Sequence, residues 1–275
     1  MRQRRINMFM DVADRGDLQD VIDHFRHEAK KPIPERFIWH VLRDLVAAAK
    51  ILDRGTLSGP RVPGWKPIYH FDIKPGNILL KTIEGQKWPR AILADFGLAV
   101  QERDFDNPDA GPEGENPGEF INQGSRAICP PETKTRFYIH HNTPINEDRK
   151  IGNEATVWGI GATLWYLMVE NPGSWAYGPK YDWDDLQSLI NDGPKGRVER
   201  ILQGDVHTGP RNYSSTLRRL ARGMLQYEPD DRVRLEEVDE QVTRWFDEHP
   251  LKKGRKLPDV KFRELPYHVG DVLKD

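Results

Sequence analysis

The chain has 275 residues, 37% hydrophobic and 31% charged, the balance of a globular protein long enough for one large domain or two small ones. Its 41 Lys and Arg against 43 Asp and Glu leave a net charge of -2. That excludes a chain-wide basic field of the kind that draws proteins to nucleic acid or to anionic membranes. The lone Cys129 excludes an internal disulfide or a cysteine-rich zinc site and points to a reducing, intracellular compartment, cytoplasm or nucleus.

Asp17 is placed to cap a short helix over 17–28, in which Leu18, Val21, Ile22 and Phe25 recur at three and four residues and line one face. His24 and His27 on that helix read as a solvated face rather than a metal site. After Pro32 and Pro34 the same period returns at Phe37, Val41, Leu45, Ala48 and Leu52, predicting a longer buried helix that stops at Gly55. Arg43, Asp44 and Lys50 interrupt its apolar run, which is far too short to span a bilayer, and the first ten residues lack the apolar run of a signal peptide. Ile78–Leu80 and Ala91–Leu93 read as short strands around a Glu84-Gly85 turn.

From 101 to 120 seven acids face only Arg103 among prolines and glycines, the composition of an acidic loop. Val157 to Val169 is apolar on nearly every side and predicts a helix through the centre of a domain. Amphipathic helices are expected near 215–227 and 235–247, and the tail after His249 is rich in Lys and Arg. The whole is a mostly helical α+β domain, with short strands near its centre.

One segment carries chemistry: His70-Phe71-Asp72-Ile73-Lys74-Pro75-Gly76-Asn77, with Asp95-Phe96-Gly97 just after the second predicted strand. It resembles the catalytic loop and metal-binding turn of eukaryotic protein kinases of the serine/threonine type. The resemblance implies a kinase-like fold in which a large helical C-terminal lobe surrounds short strands at the catalytic loop. It also implies transfer of the ATP γ-phosphate to serine or threonine of a protein substrate, with Mg2+ as metal.

By the same resemblance Asp72 accepts the hydrogen of the substrate hydroxyl, Lys74 places its ammonium against the γ-phosphate, and Asn77 and Asp95 supply hard oxygen ligands to magnesium. Asp11 and Ala13, in Met10-Asp11-Val12-Ala13, match the hinge that hydrogen-bonds adenine. Asp17 falls where the family contacts ribose, and Leu79 where it floors the adenine pocket. His70 corresponds to a packed histidine that supports the catalytic loop. Ser125 corresponds to a residue bonding Asp72 and Lys74, and Glu132 and Arg232 to a buried ion pair tying the substrate segment to the last helices.

The pattern departs from the family in three places. No glycine-rich loop, strand lysine or partner glutamate precedes Asp11. Residues 1–10 are accordingly expected to be the remnant of the last small-lobe strand, 11–248 the large lobe and 249–275 a basic tail, and this chain alone is expected to bind nucleotide weakly and turn over poorly. A partner is then expected on the face turned toward the small lobe. Phe71 replaces the arginine that pairs with an activation-segment phosphate, and Ser125 is the only Ser, Thr or Tyr between Asp95 and Glu132. Thr156 stands where an aspartate is usual and offers the catalytic loop a weaker, neutral acceptor. A catalytically inactive kinase-like binding module is the alternative reading. A small-molecule phosphotransferase is disfavoured by Lys74, Pro130-Pro131-Glu132 and Arg232, which suit a peptide platform.

Overall fold

The computed structural model describes residues 12–102, 124–125, 128–133, 151–168, 212–226, 228–251, 257–258, 260 and 262. Met10, Asp11, the acidic stretch beyond Glu102, and most of the basic tail lie outside them.

Asp17 caps α1 (Leu18–Asp23): its carboxylate accepts the Asp20 N–H at 2.9 Å while Asp20 returns the bond to the Asp17 N–H, a reciprocal box that satisfies two helix-end donors. The single helix expected over 17–28 is in fact two pieces. α1 ends at Asp23, and His24–Ala29 continues as a π-helix closed by Lys30 in the left-handed region at φ 49°.

Helix α2 (Glu35–Arg54) ends at Gly55 as its periodicity predicts. Its apolar face is fully sequestered, with Phe37, Ile38, Trp39 and Leu42 all at 0% exposure, burial worth about 1.5–3 kcal/mol for each such side chain. Helix α3 (Asn153–Met168) is buried around most of its circumference, as a sequence apolar on all sides requires. Helices α4 (Ser215–Met224) and α5 (Leu235–Glu248) join the bundle, α4 packing on α3 and α5 on α2. Ser214 caps α4 by accepting the Leu217 N–H at 3.2 Å. The same serine donates its hydroxyl to Glu35 at 2.6 Å, so the starts of α2 and α4 share one knot. Trp39 of α2 stacks on Trp245 of α5 with ring centres 4.9 Å apart, and His249 stacks on Trp245 at 4.7 Å. No helix among the described residues is long and apolar enough to cross a membrane.

Two antiparallel ribbons lie against this bundle. β2 (Ile78–Lys81) pairs with β3 (Arg90–Leu93), Ile78 opposite Leu93 and Lys81 opposite Arg90. β1 (Ile68–Tyr69) pairs with β4 (Val100–Gln101). The second ribbon is absent from the sequence reading because two-residue strands show no alternation to detect. The extended run before α1 adds to β2: Arg15 N–H donates to the Leu80 carbonyl at 2.9 Å, Leu80 N–H to Gly16 at 2.8 Å, and Asp17 bridges Leu79.

The tail is more than a basic strand of charge. Lys87 donates to the Leu257 carbonyl at 2.5 Å and the Trp88 indole to Pro258 at 3.2 Å. Val260 is buried and the Phe262 ring meets Phe37 at 5.7 Å. Its apolar residues fasten it to α2 and to the β2–β3 turn.

Candidate active site

The segment from His70 to Asn77 runs from β1 into β2 and is shaped by three local decisions. Phe71 takes a left-handed backbone at φ 58°, a conformation that costs a residue with a Cβ about 1–2 kcal/mol and must be held from outside. Pro75 then opens a 3-10 turn over Pro75–Asn77, where its fixed φ and missing N–H cost nothing. From below, Gly159 of α3 lets the loop approach closely, since a Cβ there would stand 3.0 Å from the Ile73 Cβ.

His70 is 1% exposed and bonded through both ring nitrogens. Nε2 faces the Ala94 carbonyl at 3.0 Å, which can only accept, so Nε2 carries the proton. Nδ1 then accepts the Asp72 N–H at 3.3 Å. Burial pushes the His70 pKa down, outweighing the opposing pull of the Ala94 bond and of Asp72 and Asp95. The neutral tautomer is therefore the one its neighbours demand. The same ring lies edge-on to Phe96 at 4.8 Å.

Asp72 is 8% exposed, and three groups hold its carboxylate. The Lys74 ammonium donates to Oδ2 at 2.7 Å, the Asn77 amide to Oδ2 at 2.9 Å and the Ser125 N–H to Oδ1 at 3.1 Å. Burial alone would raise its pKa, but the bonds from Lys74 and Ser125 and the Lys74 charge outweigh it and hold the carboxyl below its ordinary value. Lys74 also donates to the Ser125 hydroxyl at 3.0 Å, closing a ring of Asp72, Lys74 and Ser125.

Ser125 reaches this position because Gly124 precedes it. Gly124 has φ +87°, and a Cβ there would lie 2.5 Å from the Phe71 carbonyl oxygen. That close approach was invisible in the sequence, where Gly-Ser is an ordinary loop dipeptide.

Asn77 donates twice through Nδ2, to the Asp72 carbonyl and carboxylate, both at 2.9 Å. Among the described residues its Oδ1 accepts no hydrogen bond. The Asn77 carbonyl accepts the Ala94 N–H at 2.9 Å while His70 binds the Ala94 carbonyl. Both backbone groups of Ala94 are thus pinned, and this fixes where Asp95 begins. Asp95 is exposed, left-handed at φ 62°, with Oδ1 accepting the Gly97 N–H at 3.3 Å. An amide oxygen and an exposed carboxylate are hard donors, a set that fits a magnesium ion and its phosphate-bound ligand better than a soft metal.

Ala13 and Leu79 are partly buried, and Asp17 sits opposite Leu79 with one carboxylate oxygen engaged in capping α1. Burial raises the Asp17 pKa against the pull of the Asp20 N–H. Arg232 meets Glu132 in the interior, and the Trp158 indole of α3 donates to the Ile128 carbonyl at 2.8 Å, so the segment around Pro130 is bound to the bundle at two points. Thr156 is buried and lines a narrow cavity with Tyr69, Phe71 and Asp72.

A short strand-flanked loop bearing an aspartate, a lysine and an asparagine, a second aspartate at the next strand end, and a helical bundle beneath define a protein kinase fold, α+β and mainly helical. The model of the protein kinase domain family matches residues 1–246, and the chain belongs to that family. It is 29% identical to the serine/threonine-protein kinase STK11 of Rattus norvegicus over 213 residues, 76% of this chain and 39% of that protein. It is 23% identical to calcium-dependent protein kinase 19 of Arabidopsis thaliana over 261 residues, 94% of this chain and 36% of that protein. With the serine/threonine-protein kinase PLK4 of Drosophila grimshawi it shares 24% over 233 residues, 85% of this chain and 23% of that protein. The chain spans less than half the length of each of these relatives.

Proposed function

We propose that the protein transfers the γ-phosphate of ATP to serine or threonine hydroxyls of protein substrates, with Mg2+ bound at Asn77 and Asp95. The observation that carries this reading is the Asp72 carboxylate, held at 2.7–3.1 Å by Lys74, Asn77 and Ser125. A carboxylate fixed in its anionic form can accept the hydrogen of an incoming hydroxyl and aim its oxygen. Lys74, tethered to both Asp72 and Ser125, brings a positive charge to where charge builds on the transferring group. Magnesium held there by Asn77 and Asp95 would supply charge neutralisation on the phosphates. Ala13, with Asp11, is assigned to the adenine edge, Leu79 to its face and Asp17 to the ribose. Residues 11–248 constitute the large lobe in this proposal, with 1–10 the end of the small-lobe sheet and 249–275 the tail.

The test is transfer of labelled phosphate from ATP to serine- and threonine-containing peptides, with nucleotide binding measured in parallel. Transfer that requires Mg2+ and disappears in Asp72→Asn while nucleotide binding persists supports the reading. Nucleotide or partner binding with no transfer by the unaltered protein would replace it with a kinase-derived binding module.

A further inference from the structure

At the end of the β2–β3 ribbon away from Asn77 and Ala94, an open groove of about 700 Å3 lies between α2, the β2–β3 turn and the end of α5. Its cations are Arg36, Arg43 and Lys87, and its accessible apolar surface is the partly buried Phe246 and the exposed Leu251, with Trp88 buried in its wall. His40 also faces it, and no Asp or Glu is among its described lining residues, although the chain as a whole has a net charge of -2. The carboxylate next to it, Asp44, is turned inward: it accepts the Ala91 N–H at 3.0 Å and is 12% exposed, 3.6 Å from Arg43. Glu84 sits nearby in the same turn.

Two guanidinium groups are held against aromatic faces. Arg43 lies 5.0 Å from the Phe246 ring centre, and Arg36 lies 5.8 Å from Phe246 and 5.4 Å from Trp245. Stacking fixes the plane of each guanidinium; Arg36 Nη1 also donates to the His249 carbonyl at 2.7 Å and Arg43 Nη2 to His40 Nδ1 at 2.9 Å, so both groups are held in place at the groove wall. The Arg43 side chain is 47% exposed.

We infer that this groove docks an acidic, leucine-bearing peptide segment of a protein substrate, at a distance from the phosphate-transfer site. Glutamates or aspartates would meet Arg43, Arg36 and Lys87, and an apolar side chain would cover Phe246 and Leu251. Electrostatic complementarity with an apolar anchor is the combination that gives a transient, selective docking contact. With four-residue strands between them, the groove and Asp72 are separated by on the order of 20 Å, a gap that a short stretch of peptide spans. The inference rests on the kinase reading for its purpose, though not for its existence.

The experiment is fluorescence anisotropy of a labelled peptide of alternating glutamate and leucine, titrated with the 275-residue chain in the absence of nucleotide. Saturable binding is expected, weakened about tenfold or more in the double variant Arg43→Gln, Lys87→Gln, and severalfold on raising salt from about 50 to about 300 mM. The same peptide with lysine in place of glutamate should not bind. Because Arg43 also contacts His40 and Asp44, Lys87→Glu alone, on an exposed turn, serves as the second variant; since Lys87 also donates to the Leu257 carbonyl, its melting temperature is measured alongside, and binding should be lost at temperatures where the variant is fully folded. Absence of binding, equal binding of the lysine peptide, or unaltered affinity in both variants would overturn the inference. So would a dimer that the variants dissolve, which would give the groove to a second copy. Asp72→Asn should bind the peptide normally, and Lys87→Glu should phosphorylate a short non-acidic peptide at the normal rate. A failure of catalysis and a failure of docking are thereby read separately.

Discussion

Arg232 and Glu132 meet in parallel, Nη1 to Oε1 at 2.5 Å and Nη2 to Oε2 at 2.6 Å, with side chains 0% and 4% exposed. The guanidinium also donates to the Gln226 and Glu154 carbonyls and lies 4.9 Å from the Trp158 ring centre. A buried pair so fully satisfied is costly to break from one side, because the survivor keeps its desolvation penalty without its partner. Arg232→Met is expected to destabilise the fold by about 3–5 kcal/mol. The double variant Arg232→Met, Glu132→Leu should recover part of that loss. Urea unfolding of the two variants checks this, and equal losses would refute it.

Substituting Asp72 by asparagine keeps the shape and removes the acceptor charge. If Asp72 orients the substrate hydroxyl, transfer should fall by about 10²–10⁴-fold, with nucleotide affinity nearly unchanged. Parallel measurements of turnover and nucleotide binding decide between this and a merely structural aspartate, for which the two would fall together.

Stability should decline on mild acidification. Burial depresses the pKa of both His70 and His40, so the folded state favours their neutral forms. The stability they contribute is complete above the unfolded value of about 6.5 and is lost as pH falls through their folded values, each at no more than about 1.4 kcal/mol per pH unit. The lowered Asp72 carboxyl acts further into acid: its contribution is present above about 3.9 and disappears as pH drops through its folded value. Denaturant midpoints at pH 8, about 6 and about 5 should fall in that order, and His70→Gln should flatten the first part of the curve.

Gly124→Ala forces a Cβ to 2.5 Å from the Phe71 carbonyl in a left-handed backbone. Relaxation must move either Phe71 or the Ser125 N–H that holds Asp72. A loss of about 1–3 kcal/mol in stability is expected, together with a fall in transfer larger than that of Ser125→Ala. Alanine at both positions, each assayed for turnover and unfolding, provides the comparison.

Between Asp95 and Glu132 the chain contains one hydroxyl-bearing residue, Ser125, and that hydroxyl is occupied by Lys74 at 3.0 Å. A phosphate there would set a dianion against Asp72. Phosphatase treatment is therefore expected to leave transfer unchanged. Loss of activity on treatment, with a phosphate mapped to Ser125, would reverse this conclusion.

The long elements were legible because their burial is periodic or complete: α2 shows its face in Phe37, Val41, Leu45 and Leu52, and α3 its all-round burial in an unbroken apolar run. The candidate site was readable as residue types at fixed spacing around Asp72. What holds those residues was not readable. The left-handed turn at Phe71, the double pinning of Ala94 and the approach of Gly124 depend on backbone groups, which carry no residue-specific signal. The π-helical turn after Asp23 looks like ordinary helix because the side-chain period barely changes over six residues. The tail announces its lysines and arginines, while its attachment runs through carbonyls at Leu257 and Pro258 and the ring of Phe262.

The near-parallel Trp39 and Trp245 indoles, 12° apart in plane, join α2 to α5. Two such chromophores in contact couple their transitions, which gives the fold an intrinsic optical signature in the near ultraviolet. Because one ring belongs to α2 and the other to α5, that signature vanishes when α5 lifts away, even if every helix stays wound. A spectrometer can therefore follow the docking of this helix separately from the melting of the chain, with no label attached.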